Sequence, residues 1–336
     1  MINCKIYGKE LGITGILKDI CKKNNYNLVN NSLQDMENIL LCDKLVSYNF
    51  QYYCTKLGTA TILKNKPYFK NVSIIKKNQF IDFNTLKQYD NQLVFMKPSS
   101  NNVYDPNHAQ SGKNIIVTTD LLNTIKTERY NKKTNYIIQK GIKHPYLIDG
   151  HKTDLRIYIF QVLVNNKLYS YLHEDFFIRL ANKKYDENDN DEKIMLTNKS
   201  KLTPENKLNS FYTRTSHELE SNFKKYILDS VENISIDILN TIFVDENKTN
   251  IKAMYQFHHL GLDFIIDVAN NNNIILLEIN GKNTGTKYLT SEGKNLIDRV
   301  LKDMSNVIQD TMNGKKIRLG GFKLISVIDY SLLKKN

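Results

Sequence analysis

The clearest pattern of apolar and polar positions lies in the last third of the chain, where two apolar runs flank a short polar segment. Residues 262–266 and 274–280 are apolar at most positions, and the polar run 269–272 separates them. Two short apolar runs joined by a few polar residues are typical of an antiparallel hairpin. The sequence therefore predicts two paired strands in this region.

The register of this hairpin decides which polar side chains meet. If Val268 pairs with Asn273, Asp263 lies directly opposite Glu278, and Asn280 projects from the same face because side chains alternate along a strand. Facing carboxylates repel each other, so a strand pair this apolar predicts a cation between them. Two carboxylates and an amide oxygen are ligands that Mg2+ takes together with nucleotide phosphates. The hairpin alone leaves open that both acids are exposed at strand ends.

The rest of the chain mixes strand and helix patterns without regular alternation. Strands are predicted at 93–98, 114–117, 136–142, 152–164 and 167–173, helices at 49–64, 215–231, 234–243, 248–259 and 290–312, and polar loops at 99–112 and 182–193. No internal repeat is evident. This order favours an α+β fold over a doubly wound parallel sheet.

A second group of polar residues alternates along the predicted strand 152–164. Lys152, Asp154, Arg156 and Tyr158 share one face, and apolar side chains together with a threonine form the other. Such alternation is ordinary for a half-buried strand, but arginine and lysine in one row can also bind phosphate oxygens. Arg179 follows the next strand region and could approach the same face, or it could be a surface residue. Both interpretations stay open at this point.

Composition limits the class of protein. The 336 residues carry 47 Lys and Arg against 35 Asp and Glu, a net charge of +12, which indicates an anionic partner. The four cysteines lie within the first 54 residues without metal-type spacing, as expected for free thiols in a reducing compartment. Residues 1–20 carry too many charges for a signal peptide, and no apolar run approaches the ~20 residues of a membrane span. We therefore expect a cytoplasmic protein.

Seven motifs carry a resemblance. They are, in order, KPSS (97–100), IIQKGI (137–142), LIDGHKTDLR (147–156), FIRLAN (177–182), LTNKS (196–200), GLDFIID (261–267) and LLEING (276–281). In this order they resemble the tubulin–tyrosine ligase and ligase-like family, a branch of the ATP-grasp enzymes, over about residues 49–312. The resemblance implies an ATP-grasp fold with a nucleotide held between a central lobe, 49–142, and a C-terminal lobe, 143–312. A small N-terminal α/β lobe, 1–48, precedes them, and a tail, 313–336, has no counterpart in the family.

The resemblance also implies roles for individual residues. Lys56 and Lys97 match lysines that reach the ATP phosphates, and Gln139, Lys140 and Ile142 match the strand that contacts adenine. One departure concerns the phosphate loop, which is longer here and lacks its second glycine within residues 99–115. Fewer glycines leave fewer freely oriented N–H groups to hold phosphate.

The remaining matches concern catalysis and the metal. The matched set consists of Lys152, Asp154 and Arg156 as a catalytic row, Arg179 as a substrate-holding arginine, Thr197 and Asn198 beside the nucleotide, and Asp263, Glu278 and Asn280 as Mg2+ ligands. The last match agrees with the register argument for the hairpin. Mg2+ and ATP are the cofactors that this set implies.

The implied activity is ATP-dependent ligation. An amino acid (tyrosine, glutamate or glycine) is joined to a protein acceptor through an acyl phosphate, and the acceptor implied is an acidic tubulin tail. The net charge of +12 fits such a partner, and no nucleic-acid recognition motif is evident. Two alternatives remain: an ATP-grasp ligase acting on another acceptor, and an inactive relative that binds microtubules.

Overall fold

The fold is known for most of the chain after residue 54. The computed structural model describes residues 3–4, 18–19, 21–23, 27–28, 39–42, 54–69, 72–79, 81, 83–99, 114–127, 131–198, 201, 213–244, 255–281 and 291–333. The predicted loop 99–112 and the altered phosphate loop lie almost entirely outside these residues, as does most of the predicted N-terminal lobe. The first part of the predicted helix 49–64 also lies outside them.

The described strands form two sheets. Their bounds are β1 Asn3–Cys4, β2 Asn27–Leu28, β3 Ile39–Cys42, β4 Val72–Ile75, β5 Val94–Ser99, β6 Ile116–Thr118, β7 Asn135–Lys140, β8 Leu147–Ile148, β9 His151–Val164, β10 Lys167–His173, β11 Phe177–Lys184, β12 Thr213–Thr215, β13 Tyr255–Asp267, β14 Asn273–Asn280 and β15 Phe322–Asp329. The smaller sheet has the order β4-β7-β5-β6, and the larger has the path β12-β11-β9-β13-β3-β1-β2 with β8, β10, β14 and β15 paired beside it. Mixed sheets and helices confirm the predicted α+β class.

The helices pack on these sheets. Their bounds are α1 Lys56–Leu63, α2 Phe83–Leu86, α3 Leu121–Lys126, α4 Glu192–Met195, α5 Ser221–Val244, α6 Ser291–Met312 and α7 Tyr330–Leu333. Thr55 caps α1, since its hydroxyl accepts a hydrogen bond from the Gly58 amide at 2.9 Å. This cap marks where α1 begins, within the helix predicted at 49–64 and before Gly58 and two further threonines, which the helix includes.

Strand β9 is the central element of the larger sheet, and it is buried on both faces. Leu155, Ile157 and Ile159 join the core cluster that contains residues of α1 and α5. Tyr158 and Phe160 join a second cluster, which contains the apolar face of α6. The polar residues at the beginning of β9 therefore lie on the α6 side of the sheet, beyond the part that α6 covers.

The segment that follows α1 is anchored to α5. The Lys66 ammonium donates to Asp237 Oδ1 at 2.8 Å, and the Tyr68 hydroxyl donates to Asp237 Oδ2 at 2.6 Å. Burial and the neighbouring Asp237 carboxylate raise the pKa of the Tyr68 hydroxyl well above its usual range, so the phenol stays protonated and keeps this hydrogen bond. Helix α1 is thus fixed to a part of the chain 171 residues away.

One helix prediction was wrong, and two others were correct in type but not in their bounds. Residues 255–259, assigned to a helix at 248–259, belong to strand β13. Because β13 is buried along nearly its whole length, its sequence lacks the alternation that distinguishes a strand from a buried helix. The separate helices predicted at 215–231 and 234–243 are one helix, α5, which begins only at Ser221.

Residues 322–329, within the segment predicted as a tail, are part of the larger sheet. Strand β15 pairs with β10 in antiparallel register, and Lys167 lies opposite Asp329. Phe322 packs into the cluster beneath α6. The segment predicted as a tail thus contributes a strand and a core residue. Within the part of the chain that the structure describes, no helix is long and apolar enough to cross a membrane.

Candidate functional site

The hairpin β13–β14 brings the two predicted acids together. Asp263 lies opposite Glu278, as predicted. The pairing at the loop differs, because Asp267 rather than Val268 lies opposite Asn273. A bulge at Leu277 compensates for this one-residue shift, since Phe264 pairs with Leu276 while Asp263 pairs with Glu278.

Asn280 completes the group. Its Nδ2 donates to Asp263 Oδ2 and to Glu278 Oε1, both at 3.2 Å. The three predicted metal ligands are therefore mutual neighbours. Among the described residues no three His, Cys, Asp or Glu side chains are arranged to hold a metal ion, but two carboxylates and one amide fit Mg2+, which usually completes its shell with phosphates and water.

Arginines from β9, which neighbours β13, and from β11, one strand further, contact Asp263. Arg156 forms a two-pronged contact with it, in which Nε faces Oδ1 and Nη2 donates to Oδ2 at 2.9 Å. Arg179 Nη2 lies 2.9 Å from the same Oδ2. Planar guanidinium groups match carboxylates in this way. The cation that facing acids require is thus supplied in part by the protein itself.

Arg179 also holds Asp154, its register partner across β9 and β11. Its Nε and Nη2 donate to the two Asp154 oxygens at 2.5 and 2.8 Å. The Thr197 hydroxyl donates to Asp154 as well. Arg179 therefore bridges two buried carboxylates, Asp154 and Asp263, and the structure brings the predicted catalytic row and the predicted metal ligands into one network.

Lys56 reaches the site from the first position of α1. Its Nζ lies 3.3 Å from Glu278 Oε2. Two close contacts hold this end of the helix: the Ser99 hydroxyl accepts from the Leu57 amide at 2.9 Å, and Gly281 approaches Cys54 so closely that a Cβ on Gly281 would lie 2.6 Å from Sγ. Glycine after Asn280 therefore permits α1 to pack against the end of β14.

Two buried lysines complete the cationic set. Lys97 Nζ donates to Gln139 Oε1 at 2.5 Å, and burial lowers the pKa of Lys97 to about 8 although nearby Glu278 favours its charged form. Lys152 Nζ donates to the Met195 carbonyl at 2.5 Å and lies 4.9 Å from the centre of the Phe95 ring. Burial likewise lowers the pKa of Lys152 to about 8 against the attraction of Asp154.

The charges of the site do not balance. Burial raises the pKa of Glu278, but the positive charges around it, first Lys56 and Lys97, outweigh burial and hold the pKa well below its usual range. All the acids and bases that the sequence predicted for the phosphate and metal region meet here. Five cationic residues, Lys56, Lys97, Lys152, Arg156 and Arg179, surround three acids, Asp154, Asp263 and Glu278. The excess of positive charge suits a polyanion.

A cavity of about 450 Å³ opens onto this network, within the range of small-molecule sites. Its lining joins both sheets: Phe95 and Gln139 come from the smaller sheet, and Ile275 and Leu277 come from β14. Further predicted residues also line it, namely Lys140, Ile142 and Asn198. The Gln139 side chain faces Lys97 and the Leu276 carbonyl, at 3.4 Å from the latter.

Sequence reasoning missed the residues that position the others. The Ser99 hydroxyl accepts a hydrogen bond from the Leu57 amide. Lys152 is held by the Met195 carbonyl and lies over the Phe95 ring. A backbone carbonyl carries no residue-type signal, and a serine or phenylalanine at a strand position is ordinary. The close packing of Cys54 against Gly281 joins distant segments and likewise has no local signature.

The two sheets, the cavity between them and the cationic network define a protein with an ATP-grasp-like fold and a positively charged cavity. The chain belongs to the tubulin-tyrosine ligase family, whose model matches residues 67–315. This confirms the resemblance seen in the motifs and the fold class that it implied.

Curated relatives agree with this family. The chain is similar to tubulin glycylase 3B of Drosophila melanogaster, 24% identical over 249 residues that cover 69% of this chain and 32% of the relative. It is also similar to the probable tubulin polyglutamylase TTLL9 of Mus musculus, 29% identical over 205 residues that cover 57% and 42%. The chain thus spans less than half the length of these relatives.

Proposed function

We propose that the protein is an ATP-dependent ligase that joins an amino acid to a protein acceptor, with an acidic tubulin tail as the preferred acceptor. The observation that carries the proposal is the network of five cationic and three acidic side chains at a cavity large enough for a nucleotide. The names of the relatives, tubulin glycylase and tubulin polyglutamylase, support an acceptor on tubulin. The net charge of +12 favours an acidic partner.

The lysines serve to bind the phosphates. Lys97, Lys152 and Lys56 offer ammonium groups around the polar part of the cavity and offset negative charge on phosphate oxygens. Phe95, Ile275 and neighbouring apolar residues offer a surface suited to the adenine ring. Asp263, Glu278 and Asn280 would hold Mg2+, which when bound offsets charge on the phosphate oxygens.

The reaction needs two transfers. In the first, an acceptor carboxylate oxygen bonds to the terminal phosphorus of ATP and ADP leaves. In the second, the amine nitrogen of the other substrate attacks the acyl carbon, phosphate leaves, and a proton is lost from nitrogen. Arg156 and Arg179 are the cationic groups proposed to hold the carboxylate or the acyl phosphate. Asp154 fixes the orientation of Arg179 through two hydrogen bonds.

The two buried lysines predict a loss of activity at alkaline pH. Their pKa lies at about 8 in the free protein, and only the charged form attracts phosphates. We expect kcat/KM for ATP to fall as pH rises through about 8. Lys152→Arg, whose side chain stays charged, should make the alkaline fall shallower. The measurement is a pH series of initial rates, and an identical profile in both proteins would contradict the assignment.

The folding stability should change with pH in the direction opposite to the activity. Because the pKa of these lysines is about 8 in the folded protein, against an ordinary value of 10.5 for a lysine in the unfolded chain, the unfolded chain binds more protons between those values. Both lysines should therefore make the free energy of unfolding of the ligand-free protein increase as pH rises across this window. Below it, both states are protonated and the contribution is constant.

The activity is tested by incubation with ATP, Mg2+, tubulin and labelled glycine, glutamate or tyrosine in separate reactions. We expect one label to become protein-bound with matching release of ADP, and Lys97→Met to abolish both. ADP release and labelling of a non-tubulin protein alone would favour the alternative acceptor. Binding to microtubules without labelling or ADP release would favour an inactive relative. Association with microtubules in the cytoplasm is part of the same proposal.

A further inference from the structure

The strand beside β9 is interrupted in the middle. Strand β10 pairs with β9 up to Leu172 opposite Ile159, and β11 resumes with Phe177 opposite Arg156. On its outer side β10 pairs with β15, and β11 pairs with β12. Asp175 lies in the interruption, between the ends of these two outer strands, and its side chain is only 5% exposed.

Three basic side chains from three elements converge on Asp175. His217 Nε2, from the turn before α5, lies 2.9 Å from Oδ1, and Lys224 Nζ, from α5, lies 3.5 Å from the same oxygen. Arg299 Nη2, from α6, lies 3.1 Å from Oδ2 and 2.7 Å from His217 Nε2. One buried carboxylate thus gathers Lys224 and Arg299, two cations that would otherwise repel each other. We call these four residues the Asp175 cluster.

The Asp175 cluster presents surplus positive charge to solvent. The side chains of Arg299 and His217 are 52% and 48% exposed. Lys224 and Arg299 carry two positive charges against the single charge of Asp175. The contacts of Arg299 within the described chain run through Nη2, and a guanidinium has five N–H donors in a fork that fits a carboxylate.

The cluster lies next to the catalytic row. Phe177 pairs with Arg156, and Asp175 precedes Phe177 by two residues. With a rise of about 3.3 Å per residue and about 4.8 Å between strands, the backbone of Asp175 is within roughly 10 Å of that of Arg156. An extended peptide spans this distance with about three residues.

We propose that the Asp175 cluster is a docking site for the carboxylates of an acidic peptide acceptor. It selects acceptors that carry an acidic residue about three positions from the residue modified at Arg156 and Arg179. The proposal rests on the proposed function for the identity of the acceptor. Docking of the peptide does not require ligation, so the docking proposal and the proposed function would be contradicted by different experiments.

The first measurement is binding of a fluorescent glutamate-rich peptide to the full-length protein without ATP, followed by anisotropy. We expect Arg299→Ala to weaken binding about fivefold to tenfold, because a charge-assisted hydrogen bond is lost at an exposed site. The matched control is Lys167→Ala, which also removes one exposed cation with one aspartate partner. Lys167 lies opposite Val164, at the far end of β9, so its loss should leave binding unchanged.

The second measurement changes the peptide, so protein stability cannot affect it. Replacing the glutamates about three positions from the acceptor residue with glutamine should weaken binding to the unaltered protein, and Arg299→Ala should then cause little further loss. In ligation assays the same change should raise KM for the peptide and leave KM for ATP unchanged. Equal losses in Arg299→Ala and Lys167→Ala would overturn the proposal in favour of net charge alone. Unchanged peptide binding in Arg299→Ala would also overturn it. The same holds if an oligonucleotide of matched charge binds more tightly than the peptide and loses as much affinity in Arg299→Ala.

Discussion

Arg179→Ala should lower the free energy of unfolding by about 3–5 kcal/mol and abolish ligation, the larger of the two effects that we single out. Arg179 bridges Asp154 and Asp263, whose side chains are 7% and 3% exposed. Its removal leaves Asp154 without its guanidinium partner, whereas Asp263 keeps its contact with Arg156. Denaturation by urea, followed by circular dichroism, measures the loss.

Two further variants define what Arg179 contributes. Arg179→Lys keeps a charge but cannot fork to both carboxylates, so an intermediate loss is expected. Lys225→Ala breaks an exposed pair with Asp229, 2.5 Å apart, and should cost less than about 1 kcal/mol. If Arg179→Ala costs no more than Lys225→Ala, the bridge contributes little to the fold, and Arg179 acts on substrate alone.

Glu278→Gln should remove the dependence of ATP binding on Mg2+ and lower kcat at least about a hundredfold. The substitution preserves the shape of the side chain and removes the charge that faces Asp263 and contacts Lys56. Calorimetric titration of ATP with and without Mg2+ measures the first effect, and initial rates measure the second.

Asp267→Asn is the matched control for this experiment. Asp267 belongs to the same hairpin and lines the same cavity, but it accepts a hydrogen bond from Asn270 rather than contacting the cationic network. The Mg2+ dependence of ATP binding should survive in Asp267→Asn. Its retention in Glu278→Gln as well would remove the metal assignment.

The hairpin explains how much of the site the sequence could predict. Apolar runs and alternation predicted the two strands, and an assumed pairing of Val268 with Asn273 set Asp263 opposite Glu278. The loop pairing was off by one residue, and the bulge at Leu277 that corrects it leaves no trace in the pattern of apolar residues. The register used for the prediction thus holds only on the side of the bulge where Asp263 pairs with Glu278, and not next to the loop.

The cations around the acids could be predicted only in part. Repulsion between Asp263 and Glu278 indicated a positive partner, and a metal was the expected one. In the structure Arg156 and Arg179 contact Asp263, although Arg156 precedes Asp263 by 107 residues. No local pattern encodes such contacts. The motifs brought these residues into one set through resemblance, while their mutual contacts required the fold.

Strand β13 shows why one helix prediction failed. A strand exposed on one face alternates, but β13 lies between β9 and β14 and is buried on both faces. Tyr255–Asp267 therefore carries apolar and polar residues without a period of two. Two histidines within it, His258 and His259, interrupt the apolar run further.

The anchoring of α1 has a consequence for synthesis on the ribosome. Lys66 and Tyr68 find their partner, Asp237, only 171 and 169 residues later in the chain. At about 5–20 residues per second, the ribosome needs roughly 10–35 s to make that partner. During this interval the helix that bears Lys56 has neither α5 nor β14 to pack against. It can already pack against β4, β5 and β7, but nascent chains that end before residue 237 lack the anchor to α5.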